Sequence, residues 1–317
     1  MRIVEAQEAR ERLTMPVCID LMRQAFMDLE SGKASQPLRS IVMLPHGEKF
    51  GFMPAYLGEH TYFGAKVLSA FPQNMGTEYP SHIGYVMMFE SEHGVFQGMA
   101  DATVITEIRT GAVSAVATDL LARKDAHKLA IIGAGAQGRS HLAAISCVRD
   151  ITEVSVYDMR EGAAVKYANE MSETYGIPVK VAKDAEDCVK DADIICTVTP
   201  SKDPYLKKEW IKAGAHINAV GTFTPNTREV TSELVAAAKL YSDQTEAMKK
   251  ECGEYLIPVS EGLIDESHIV GSVGEVLLGK APARQSDEEI TLFDALGLAI
   301  EDVMCAAYLC TDINNQQ

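Results

Sequence analysis

Hydrophobic and polar positions change rhythm twice along the chain. The stretch "PVCIDLMRQAFMDLESGK" sets Leu21, Met22, Ala25, Phe26 and Leu29 at helical spacing between Pro16 and Gly32. It predicts an amphipathic helix with its own start and stop signals. The period then shortens. "PLRSIVMLP", "KFGFMPAYLG", "YFGAKVLSAFP" and "SHIGYVMMFESEHGVFQGMA" are short apolar stretches broken by Gly, Pro and Asn, and they predict a run of antiparallel strands. "ATVITEIRTGAVSAVATDLLA" predicts a helix whose small residues let a neighbour pack closely. From Lys128 the texture alternates. Strands are expected at 129–133, 154–158, 177–181, 193–198, 215–220 and 239–243. Helices are expected at 137–148, 161–175, 184–191, 205–212 and 231–238. Such alternation predicts an α/β unit, a parallel sheet covered on both faces. "TLFDALGLAIEDVMCAAYLC" reads as one long closing helix that returns to the first domain, and the "INNQQ" tail reads as frayed.

Length and charge narrow the picture. A chain of 317 residues exceeds what one core usually serves, so two domains are expected. The net charge is -16 with no basic block, which argues against nucleic acid or an anionic membrane as partner. The start "MRIVEAQEARERL" has no apolar secretory core, and no apolar run is long enough to cross a bilayer. Seven cysteines without a Cys-x-x-Cys pair fit free thiols in a cytoplasmic setting, all seven as small core residues, and call for no metal.

Gly133, Gly135 and Gly138 form G-x-G-x-x-G directly after the apolar strand "LAII" and before a helix that Ala136 and Gln137 open. In that context Gly133 permits the turn, Gly135 admits a pyrophosphate to the backbone, and Gly138 lets helix and strand pack. The second strand ends at Asp158, the acidic position that bonds ribose hydroxyls, which favours NAD. Arg160, two residues on, softens that preference and leaves NADP open. "CTVTPS" and "AVGT" end two further strands, so Thr197, Thr199, Val220 and Gly221 are expected beside the cofactor.

Arg39, Lys66 and Arg109 interrupt apolar segments before the glycine loop. Buried cations need partners or a ligand, and a forked guanidinium suits a carboxylate. Three together point to a carboxylate pocket, although structural ion pairs would look the same in sequence.

Six ordered motifs carry a resemblance over nearly the whole chain: "GAKVLSAFPQN", "PSHIGYVMMFE", "ITEIRTGAVSAVAT", "IIGAGAQGRSH", "GAHINAVGTFTPNTREV" and "LGLAIEDV". The chain resembles the ornithine cyclodeaminase/mu-crystallin family. The resemblance implies a Rossmann doubly wound sheet at 118–293. It implies an α+β substrate and dimerisation domain at 1–117 together with 294–317, and a homodimer formed through it. It makes Arg39, Lys66 and Arg109 the substrate-binding cations, with Lys66 also catalytic, and Thr110 a cofactor contact. Met53 and His82 fall in landmark segments and join the candidates. One position departs. Cyclodeaminases of the family carry an acid after "VG", two residues before a proline, where this chain has Phe223. Phenylalanine cannot hold an ammonium or move a proton, and Thr222 and Thr224 are poor substitutes. A shifted loop could instead bring Glu229 into the place. The resemblance therefore implies an NAD-dependent oxidoreductase of a small α-imino or α-amino acid. A cyclodeaminase that recycles NAD, and a non-enzymatic binder of NAD(P)H and a small ligand, stay open.

Overall fold

A computed structural model describes residues 1–58, 61–74, 77–79 and 81–311, so the "INNQQ" tail lies outside the described residues. The two rhythms of the sequence become two sheets. One compact unit takes Met1–Arg109 and the chain from Leu298 onward; the other takes Thr110–Gly297. The division falls inside the helix Ala102–Leu121.

The first unit holds β1 (Arg2–Val4), β2 (Ser40–Met43), β3 (Lys49–Tyr56), β4 (Tyr62–Ala70), β5 (His82–Glu90) and β6 (Phe96–Asp101). Their order is β1-β6-β5-β4-β3-β2. From β2 to β6 the strands run antiparallel, as the apolar stretches predict, and β1 adds parallel to β6. Three residues in a polar start give no strand rhythm, so β1 was not legible. Side chains alternate across the pleat. Met53, Lys66, Val86 and Ala100 form one cross-strand row, and all four are buried. That face packs on the helix Ala299–Cys310, which also meets the helix Met15–Glu30. On the other face Phe50, Phe52, Tyr56 and Phe63 stay exposed, with Phe63 stacked on Phe89 at 5.3 Å.

The second unit holds β7 (Lys128–Ile132), β8 (Glu153–Tyr157), β9 (Val179–Val181), β10 (Ile194–Thr197), β11 (His216–Ala219), β12 (Lys239–Ser242), β13 (Ile269–Ser272) and β14 (Thr291–Asp294). All pairings are parallel, in the order β13-β12-β14-β11-β10-β7-β8-β9. Leu129 and Ile131 feed the core on one face, Ala130 and Ile132 the core on the other. Burial on both faces is why these strands read as unbroken apolar runs.

Three expectations fail locally. "TLFD" is not the start of a helix: it is β14, inserted between β11 and β12. Two apolar residues between polar ones, leading into an apolar-periodic stretch, fit the first turn of a helix as well as a short buried strand. Gly297, at φ 79°, then turns the chain before the helix begins at Ala299. Residues 205–212 form only the short turn Lys208–Trp210, because Leu206 is drawn into an extended bridge with Val230, its carbonyl accepting the Thr231 N–H. The cysteines are not all core residues: Cys147 is exposed and Cys310 half-buried. No helix among the described residues is long and apolar enough to cross a membrane.

Candidate active site

In the second unit the glycine loop has a separate reason for each glycine. Gly133 closes β7 at φ 113°, and a Cβ on it would lie 2.8 Å from the Val198 carbonyl oxygen. A Cβ on Gly138 would come within 2.3 Å of the Gly133 oxygen, so helix and strand touch there. Gly135, the N-cap of the helix Ala136–Ile145, is the opposite case: a Cβ on it would meet nothing within 4 Å. The space at that N-cap is open, and the positive end of the helix that Ala136 and Gln137 open stands beside it. Backbone donors, a positive helix end and an open cradle fit a dinucleotide pyrophosphate.

Asp158 stands one residue past β8. Its Oδ2 accepts the Ala134 N–H at 2.8 Å, and Arg160 grips it with Nε at 2.9 Å and Nη2 at 2.7 Å. Burial works against its charge, but these bonds outweigh it and hold the carboxyl below its ordinary range. Thr110 is buried in the helix Ala102–Leu121. Thr197 ends β10, and its carbonyl accepts the Val220 N–H at 3.0 Å. Glu229 ties the neighbouring turns together. Its Oε1 accepts Thr199 N at 2.9 Å, Thr199 Oγ1 at 2.6 Å and Tyr205 OH at 2.7 Å. Its Oε2 accepts Gly221 N at 2.9 Å. Glu229 is fully buried and committed, so it does not take the place of the acid missing at Phe223, which is 47% exposed. Behind it Glu254 accepts Glu229 N at 2.8 Å and Thr222 Oγ1 at 3.0 Å. Burial, and then the nearby Glu229, push Glu254 up to about 7. Burial pushes Asp294 well above the carboxylate range too.

In the first unit the structure brings two of the three predicted cations into one buried cluster. Lys66 Nζ lies 2.7 Å from Asp302 Oδ2 and 3.5 Å from Thr106 Oγ1. Arg109 donates from Nη1 to Glu301 Oε2 at 2.7 Å and from Nε to Asp302 Oδ1 at 3.2 Å. Both acids are fully buried. Burial pushes the Lys66 ammonium below its ordinary pKa; Asp302 works against that, and Arg109 adds to it. For Arg109 burial acts in the same direction, but Asp302 and Glu301 prevail and raise it. Met53 is the cross-strand partner of Lys66. Arg39 is half-buried one residue before β2. Continuing the β2–β3 register by one position sets it opposite Met53. His82 begins β5 on the same sheet face, opposite Ala70. Its side chain reaches solvent, yet surrounding protein, then Lys49 and Lys66, press its pKa below the usual value. Sequence reasoning missed Glu301 and Asp302. Their signal was present: two adjacent acids inside an otherwise apolar helix.

The model of the Ornithine cyclodeaminase/mu-crystallin family matches residues 2–317. The chain belongs to that family. Among its relatives, a Delta(1)-pyrroline-2-carboxylate reductase of Bacillus cereus is 34% identical, over 98% of this chain and 95% of the relative. An alanine dehydrogenase of Archaeoglobus fulgidus is 36% identical, over 96% and 92%. A solved Thermococcus litoralis Delta(1)-pyrroline-2-carboxylate reductase, in complex with NADH and L-proline, superposes with a TM-score of 0.94 at 37% identity, over 98% and 96%. As a member of the ornithine cyclodeaminase/mu-crystallin family, the chain has the α/β fold with a parallel sheet and a second sheet that the sequence implied.

Proposed function

We propose that this chain is an NAD-dependent oxidoreductase that interconverts a small α-imino acid and the corresponding L-amino acid by hydride transfer. The observation that carries the reading is the buried Lys66–Asp302–Arg109–Glu301 cluster, in a chain matched end to end by reductases and a dehydrogenase. The open cradle at Gly135 supports the cofactor, and Asp158 supports NAD over NADP. When bound, the nicotinamide supplies or accepts the hydride. Arg109, with Arg39, holds the substrate carboxylate and orients Cα. Lys66 stabilises charge at the imine nitrogen and donates the proton that the new amine keeps. Phe223 offers an amine-bearing side chain no carboxylate to take its proton, which disfavours ring closure with loss of ammonia. The exposed aromatic face of the first sheet supports a homodimer, and seven free cysteines support a cytoplasmic setting.

The test is oxidation of NADH and NADPH against pyruvate, glyoxylate and oxaloacetate, each with ammonia or methylamine, and against cyclic imines. NADH consumption with formation of the L-amino acid is expected. Ammonia and proline from ornithine, with no net change in NADH, would replace this reading with a cyclodeaminase. NADH binding without turnover anywhere in the panel would leave a binding protein.

A further inference from the structure

Lys66 is a lysine with little reason to stay charged. It is 3% exposed on a strand whose cross-strand neighbours at this point are Met53 and Val86. Taking an ammonium out of water favours the neutral amine, and a nearby guanidinium favours it further. Four ionisable groups bear on it: Asp302 and Glu301 from the helix Ala299–Cys310, Arg109 from the helix Ala102–Leu121, and His82 from β5. Of these only Asp302 touches it, at 2.7 Å. Asp302 divides its oxygens, Oδ2 to Lys66 and Oδ1 to Arg109. Glu301, the residue before it, lies 2.7 Å from Arg109 Nη1. One carboxylate thus contacts both cations.

We propose that Asp302 is a positioning residue that keeps Lys66 protonated and aimed for the proposed proton transfer, while Glu301 serves Arg109. The role in turnover rests on the functional reading above; the hold on the Lys66 proton does not. In the neutral state Lys66 would lose its donor role, so kcat/KM would fall as pH rises through its pKa.

The experiment follows the titration of Lys66 itself, by NMR of the full chain with 13Cε-labelled lysine, the signal assigned by its loss in Lys66→Arg. Replacing Asp302 with asparagine removes the opposite charge in contact. The Lys66 midpoint is expected to fall by about one pH unit or more. Glu301→Gln should move it by clearly less. In the active protein the alkaline limb of kcat/KM should shift with the midpoint, while the NADH dissociation constant, read by fluorescence, stays within about twofold. If Asp302→Asn does not fold, Asp302→Ser takes its place; it too removes the opposite charge, so the midpoint must still fall. A midpoint equal to wild type in a folded Asp302 variant overturns the proposal, as does an equal shift in Glu301→Gln. A wild type that reduces no imino acid ends the functional reading but leaves the titration decisive.

Discussion

Lys66 and Arg109 could be picked out as chemically conspicuous from sequence because a cation inside an apolar strand or helix has to be answered by something. What answers them, Asp302 and Glu301, lies 193 and 192 residues further on, respectively, from Arg109. No local pattern links positions that far apart; the same test applied to the closing helix would have flagged the two acids, but not their partners. Lys66→Ala should lower kcat by about 100-fold or more, with NADH binding intact by fluorescence titration; near-normal turnover removes Lys66 from the chemistry. Glu254 gives a second prediction at this scale. Its folded pKa of about 7 lies above the ordinary glutamate value of 4.5. The folded chain therefore holds a proton that the unfolded chain has released between those values. Its contribution to stability is full at low pH and is lost as pH rises from about 4.5 to about 7. Glu254→Gln should flatten that decline in the thermal midpoint. A wild type and variant with parallel pH profiles would show that the proton is not there.

Among elements, the glycine loop was the most legible because each of its constraints is local. The structure separates its glycines by what they forbid. Gly138→Ala places a Cβ 2.3 Å from a backbone oxygen, so the strand and helix must part, at a cost of about 1–3 kcal/mol. Gly135→Ala meets no protein atom within 4 Å. It should melt like wild type yet bind NADH about tenfold or more weakly, since the methyl group occupies the space into which the pyrophosphate comes. Paired calorimetry and fluorescence titration distinguish the two; a Gly135→Ala that binds normally would mean the cradle is not where phosphates sit. β14 was the least legible element. "TLFD" is fully buried in the middle of a parallel sheet, and a strand covered on both faces loses the alternation by which strands are recognised.

For the whole molecule, the sequence's two rhythms fixed two kinds of sheet, but not that one face of the first would be left aromatic and open. Phe52 and Phe63 are 44% and 37% exposed, and two aspartates on that aromatic face would oppose a subunit contact there. Phe52→Asp with Phe63→Asp should convert a dimer to a monomer by light scattering, and a mass unchanged by both would place any subunit contact elsewhere.

The late position of Asp302 has a consequence for biosynthesis. Arg109 leaves the ribosome 193 residues before the carboxylate that holds it, which at about 5–20 residues per second is roughly 10–40 s. Throughout that interval the nascent first unit carries two cations destined for burial without the two acids that meet them. The second unit, continuous from Thr110 to Gly297, emerges whole in the meantime. A released chain truncated after Leu298 should therefore display a protease-resistant second unit beside a protease-sensitive first one, and the helix Ala299–Cys310 should be what locks it.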